Sequence, residues 1–199
     1  MPIPYLALGD SYTIGEAVPA AGRWPAQLVR RLRARGVAID DAQIVAVTGW
    51  TTDELSAGMG AAALSPPYGL VTLLIGVNNQ YRGRGAGEYR DQFARLLRRA
   101  IGLAGGRASH VVVVSIPDWG VTRFAREQGR DGACIAHALD VYNAIARDEA
   151  GRGGARWVDI TPVSRRHPEL LAADGLHPSA AQYALWTEAI LPAAAAAVK

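Results

Sequence analysis

The chain has 199 residues, half of them hydrophobic, a formal net charge of +3 and one cysteine. That length suits one domain spanning residues 1–199, able to bury on the order of 70% of the surface its unfolded form exposes. A lone Cys134 excludes an intramolecular disulfide and a cysteine-built zinc site, and no run of eighteen apolar residues provides a membrane span.

The chain opens Met1-Pro2-Ile3-Pro4 and enters an apolar strand, about residues 3–9, directly. No signal peptide precedes it, so a cytoplasmic location is expected unless an export signal has been removed. Gly9-Asp10-Ser11 then turns the chain sharply and leaves a small hydroxyl at the strand's carboxyl end. After a loop, Trp24-Pro25 opens a helix to about Arg35, with Gly36 as its stop. Residues 43–47 are a second strand, and Thr48-Gly49-Trp50 a turn. Thr51 with Glu54 is a capping box that starts the next helix. The run from Leu70 to Ile75 reads as a strand covered on both faces, closed by Gly76-Val77-Asn78-Asn79.

A glycine-rich loop at 82–87 precedes a long helix carrying Tyr89, Phe93, Leu96, Leu97, Ala100 and Ile101 at helical spacing. Strand four runs from His110 to Ile116. A polar loop, about 117–131, is long enough to be a lid or binding loop. A helix near 132–149 follows, with Cys134 at an apolar position, where it reads as an inert core thiol. Residues 155–160 are a fifth strand. A loop through Pro162 and Pro168 leads to Asp174-Gly175-Leu176-His177-Pro178, and a last helix starts near Ser179, ended or kinked by Pro192. Arginines gather at Arg30-Arg31-Arg33-Arg35 and Arg95-Arg98-Arg99. Both clusters sit on amphipathic helices without interleaved aromatics, so they read as solvated faces and no nucleic-acid partner is expected.

Strand alternating with helix five times predicts a three-layer α/β/α, flavodoxin-like sandwich with a five-stranded parallel sheet. In a 2-1-3-4-5 strand order the turns after strands one, two and three are neighbours, and the crevice opens between one and three. Ser11, Gly49 and Asn78 can then converge. Ser11 alone is a weak nucleophile and needs a base. Asp174 three residues before His177 can hold the near ring nitrogen and leave the far one free to take a proton. An imidazole base implies turnover that falls below about pH 6.5, the ordinary histidine value.

These four blocks, in this order over nearly the whole chain, resemble the GDSL esterase/lipase family in its SGNH hydrolase form. The resemblance implies Ser11 as nucleophile, His177 as base and then acid, and Asp174 as its orienter. It implies an oxyanion hole from the N–H groups of Ser11 and Gly49 and the amide of Asn78. It implies no cofactor and a small-molecule ester as substrate, with an acyl-CoA thioesterase, a lysophospholipase or a sugar O-deacetylase as alternatives. Two positions depart from the family pattern. Tyr12 replaces a leucine, and Asn79 stands where aspartate is common, which removes a carboxylate near the site and leaves its supporting hydrogen bonds open.

Trp50, Tyr81, Trp119 and Phe124 lie on loops near the expected site and are candidates to line an acyl or aryl pocket. Arg82, Arg84, Arg123 and Arg126 are candidates to attract an anionic ester or a CoA group. His110, His137 and His167 lack carboxylates at useful spacing, and no metal site is expected. The Gly83, Gly85, Gly87 pattern is not a dinucleotide fingerprint, and no Gly-x-Ser-x-Gly elbow is present. From another class, a non-catalytic flavodoxin-like binding module with Gly9-Asp10-Ser11 as a plain turn is the competing reading.

Overall fold

The apolar runs form strands because helices cover them on both faces. The computed structural model describes residues 1–199. Its strands are β1 (Tyr5–Gly9), β2 (Gln43–Ala46), β3 (Leu70–Leu74), β4 (Val111–Val114) and β5 (Arg156–Val158). They form one all-parallel sheet in the order β2-β1-β3-β4-β5. β1, β3 and β4 are buried along their whole length, as continuous apolar runs in a covered parallel sheet should be.

The helices are α1 (Ser11–Ile14), α2 (Trp24–Arg33), α3 (Thr52–Ala61), α4 (Val77–Tyr81), α5 (Ala86–Leu103), α6 (Arg123–Glu127), α7 (Gly132–Gly153), α8 (Thr161–Arg166) and α9 (Ala180–Ala197). α2 packs on α9 on one side of the sheet, and α5 packs on α3 and α7 on the other. The amphipathic pattern of α5 buries Tyr89, Phe93, Leu96, Leu97 and Ala100. One continuous hydrophobic cluster joins both layers, with Trp24, Trp186, Tyr5, Tyr89 and Tyr183 its largest fully buried side chains. The expected three-layer sandwich and strand order are therefore present. No helix is long and apolar enough to cross a membrane.

Several local expectations are corrected. The Ser11 turn is the start of a short helix, α1, whose N-cap Asp10 accepts the Tyr12 N–H. Residues 117–131 are not an open loop. They hold a 3-10 turn at Trp119–Val121 and α6, which Thr122 caps by accepting the Ala125 N–H. The Pro162 segment is α8, because a proline near a helix start costs no hydrogen bond. α9 runs through Pro192 to Ala197; the proline is on the exposed side, where the carbonyl it leaves unpaired can be hydrated. Cys134 is exposed, not in the core. Asp131 caps α7, so the thiol falls in the first turn and donates to Asp131 Oδ2 at 3.3 Å. His167 does have a carboxylate nearby, Glu169 at 3.4 Å, and both are exposed.

β1 ends at Gly9, opposite Leu74 of β3. A Cβ on Gly9 would stand 2.5 Å from the Leu74 carbonyl oxygen and would run into the buried Thr13 hydroxyl. The Leu74 carbonyl is sheet backbone and cannot swing aside, so the overpacking cannot be fully relieved by a side-chain rotation. Gly9→Ala should cost about 1–3 kcal/mol and lower the melting temperature by several degrees. Thermal unfolding followed by circular dichroism checks this, and an unchanged midpoint would contradict it.

Candidate active site

Three strand ends and one loop supply the site. α1 follows β1 directly and carries Ser11, whose N–H lies at the first position of the helix. The turn after β2 carries Gly49 in a left-handed conformation, φ +87°. α4 follows β3 and carries Asn78 in its first turn. The stretch between α8 and α9 carries Asp174 and His177. Since β2, β1 and β3 are adjacent and parallel, their carboxyl ends meet. Ser11, Gly49, Asn78 and His177 line one cavity of about 240 Å³.

The Asp174 carboxylate organises its loop. Oδ1 accepts the N–H groups of Leu176 (2.9 Å) and His177 (3.0 Å), and Oδ2 lies 2.7 Å from His177 Nδ1. A carboxylate partner calls for a proton on Nδ1, which leaves Nε2 unprotonated. Partial burial pushes the Asp174 pKa up. The hydrogen bonds from the His177 ring and the two backbone N–H groups outweigh that, and the net position is below the ordinary value. Tyr12 meets His177 edge-on, with ring centroids 5.7 Å apart, and also packs on Trp186. The departure from leucine at this position thus packs a ring against the imidazole; burial, then the nearby Asp10, Asp118 and Asp174 charges, pushes the phenol pKa well above its ordinary value.

Three candidate donors belong to residues that line this cavity. The N–H groups of Ser11 and Gly49 donate to no other group in the fold. Asn78 Nδ2 donates to the Trp50 carbonyl at 2.9 Å, which fixes the amide plane and leaves its second hydrogen available. Arg82 Nη2 donates to the Gly49 carbonyl at 2.7 Å and so pins the neighbouring peptide. Asn79 is fully buried, and both polar atoms of its amide are bonded. It accepts the Thr52 N–H at 3.0 Å and donates to Thr52 Oγ1 at 2.7 Å, tying α4 to the start of α3.

Of the four candidate pocket aromatics, the structure places three on the cavity wall: Tyr81, Trp119 and Phe124. Trp50 does not join them. Its ring lies over Gly58 of α3, and only its carbonyl serves the site. Trp119 is held by Nε1 donating to Gln80 Oε1 at 2.8 Å, and it meets Tyr81 edge-on at 5.4 Å. The Asp118–Arg165 ion pair anchors the segment that carries Trp119, and the Phe124 N–H donates to the Gly175 carbonyl. The 117–131 segment is thus built onto the Asp174–His177 loop as a wall. Sequence reasoning missed Leu176 and Val77, which add apolar lining, and Thr48. No group of three or more His, Cys, Asp or Glu side chains is arranged to hold a metal ion.

The model of the GDSL-like lipase/acylhydrolase family matches residues 7–185. The chain belongs to this family. Solved structures share its fold. The protein TesA is 18% identical over 96% of this chain and 97% of its own, with a TM-score of 0.73. The lipase/acylhydrolase from Enterococcus faecalis is 20% identical over 96% and 94%, with a TM-score of 0.74. Axe2, an acetylxylan esterase from Geobacillus stearothermophilus, is 20% identical over 98% and 96%, with a TM-score of 0.73. A search of curated sequences found no match. Membership of the GDSL-like family makes this chain a carboxylic ester hydrolase.

Beside the GDSL-type serine sits a buried acid. Asp10 is fully buried, its Oδ1 accepts the Tyr12 N–H, and its Oδ2 has no partner. Burial pushes its pKa from 3.8 up to about 7, against the pull of the Tyr12 N–H. The folded chain therefore holds an extra proton between those two values, and stability falls as pH rises through that window. A shift of this size corresponds to a few kcal/mol. Asp10→Asn keeps the acceptor for Tyr12 and removes the charge. Its melting temperature should fall less between pH 5 and pH 8 than that of the parent protein. Equal pH slopes for the two proteins would contradict this electrostatic account.

Proposed function

We propose that the chain acts as one domain that hydrolyses small carboxylic esters through an acyl-enzyme on Ser11. The observation that carries this is the Asp174–His177 hydrogen bond of 2.7 Å on the rim of the cavity that Ser11, Gly49 and Asn78 also line. In this reading Asp174 holds the His177 tautomer and stabilises the imidazolium as it forms. His177 Nε2 takes the proton from Ser11 Oγ as the oxygen attacks the acyl carbon. The developing oxyanion sits among the Ser11 N–H, the Gly49 N–H and the free Asn78 amide hydrogen. All three are neutral donors, and the Asn78 amide plane is fixed by its bond to the Trp50 carbonyl, which limits the reorganisation that accompanies the charge. His177 then gives its proton to the departing alkoxide. A water deprotonated by the same nitrogen releases the acid and restores Ser11.

The wall of Tyr81, Trp119 and Phe124 and the cavity of about 240 Å³ favour a short acyl or aryl group over a long lipid chain. A thioesterase, lysophospholipase or sugar O-deacetylase uses the same machinery and differs only in what fills this wall. A flavodoxin-like binding module would leave Ser11 inert.

Covalent labelling separates the two classes. A fluorophosphonate should modify Ser11, and Ser11→Ala should abolish both the adduct and the turnover of p-nitrophenyl acetate. An unlabelled Ser11, or full activity in Ser11→Ala, would refute the proposal. Asn78→Ala should lower kcat by about 10²–10³ with a smaller effect on KM, since the donor acts on charge formed only in the transition state. A change confined to KM would contradict that role.

A further inference from the structure

The wall over the cavity carries a cation with no anionic partner. Arg130 follows α6, and its guanidinium lies 5.4 Å from the Tyr81 ring centroid and 5.7 Å from that of Trp119. Both rings line the cavity. The four arginines that the sequence singles out are otherwise engaged. Arg82 pairs with Glu54, and Arg84 with Asp53 and Glu88. Arg123 pairs with Glu127 and donates to the Ala173 carbonyl, and Arg126 donates to the Val121 carbonyl. The acid next in sequence to Arg130, Asp131, accepts the N–H groups of Ala133 and Cys134 and caps α7. Arg130 takes part in none of the ion pairs of the fold and is exposed.

A guanidinium held against two rings keeps its N–H fork free in its own plane. The rings also limit its rotamers, so less freedom is lost when the fork meets an oxyanion. Arg130 is not itself a lining residue; it borders the cavity through the two rings it shares with it. We propose that Arg130 is a specificity-determining residue, selecting esters that carry a carboxylate or phosphate on the part emerging past Tyr81 and Trp119. This rests on the hydrolase reading and names the substrate class for that site.

The experiment compares kcat/KM within matched pairs, in the parent protein and in Arg130→Gln. One pair, 4-acetoxybenzoate and 4-acetoxybenzamide, places the anion on the alcohol side. A second, mono-4-nitrophenyl glutarate and 4-nitrophenyl pentanoate, places it on the acyl side. A third substrate, 4-acetoxyphenyl phosphate, against the same benzamide, separates phosphate from carboxylate. The charged-to-neutral ratio should drop about three- to fivefold in Arg130→Gln for at least one pair, the scale of an exposed ion pair. The drop should shrink in about 0.5 M salt, where exposed charges are screened. Arg130→Lys, which keeps the charge without the fork, should fall between the two. Ratios unchanged by Arg130→Gln in every pair would overturn the inference while leaving the hydrolase intact. Turnover of the neutral esters that persists in Ser11→Ala would instead overturn the hydrolase reading beneath it.

Discussion

The structure depends on one carboxylate. Asp174 accepts two backbone N–H groups and lies 2.7 Å from the His177 ring, so a single side chain shapes the loop and sets the imidazole. Backbone bonds such as Ala172 N–H to the His177 carbonyl and Ser179 N–H to the Leu170 carbonyl also hold the loop, but only Asp174 gives the ring a preferred tautomer. Tyr12 on one side and the Phe124 N–H bond to Gly175 on the other complete the support. The histidine is 8% exposed, which leaves an edge toward the cavity and little freedom elsewhere.

The rest of the fold brings three more residues to the cavity that the ring lines. A parallel sheet in the order β2-β1-β3-β4-β5 aligns three strand ends at one edge, and the segments leaving them carry Ser11, Gly49 and Asn78. Tight packing makes the alignment stiff: Gly9 leaves no room for a Cβ, and Asn79 ties α4 to α3. This stiffness has an electrostatic cost. Asp10 is fully buried next to Ser11 with one oxygen unpartnered, an arrangement that opposes stability once the acid is ionised. Strain and unmatched polar groups gather at functional sites, where the surrounding core tolerates them.

Much of this was legible in the residues. Continuous apolar runs such as Val111–Val114 can only be covered strands, and their alternation with helical patterns leaves few topologies. The Asp174–His177 spacing across a turn was readable as a local bond because three residues suffice to make it. What escaped was set by tertiary contacts. α6 spans only Arg123–Glu127 and is held by its Thr122 cap and by Gly175 from a distant loop, so no periodicity announces it. The direction of the Trp50 ring depends on the absence of a side chain at Gly58, eight positions on. Arg130 carries no local signal in the sequence; its place against Tyr81 and Trp119 is set by tertiary contacts alone. α8 was different: Pro162 was a usable start signal that reads equally well as a loop breaker.

The central claim is that one reacting centre sits between Ser11, His177 and three donors. The most direct measurement is a crystal structure of the protein inactivated by a small phosphonate ester, whose tetrahedral phosphorus stands in for the acyl carbon under attack. The account predicts phosphorus bonded to Ser11 Oγ, with the phosphoryl oxygen about 2.7–3.1 Å from the Ser11 and Gly49 nitrogens and Asn78 Nδ2, and His177 Nε2 beside the serine oxygen. A phosphonate attached elsewhere, or a phosphoryl oxygen turned away from Gly49 and Asn78, would contradict it.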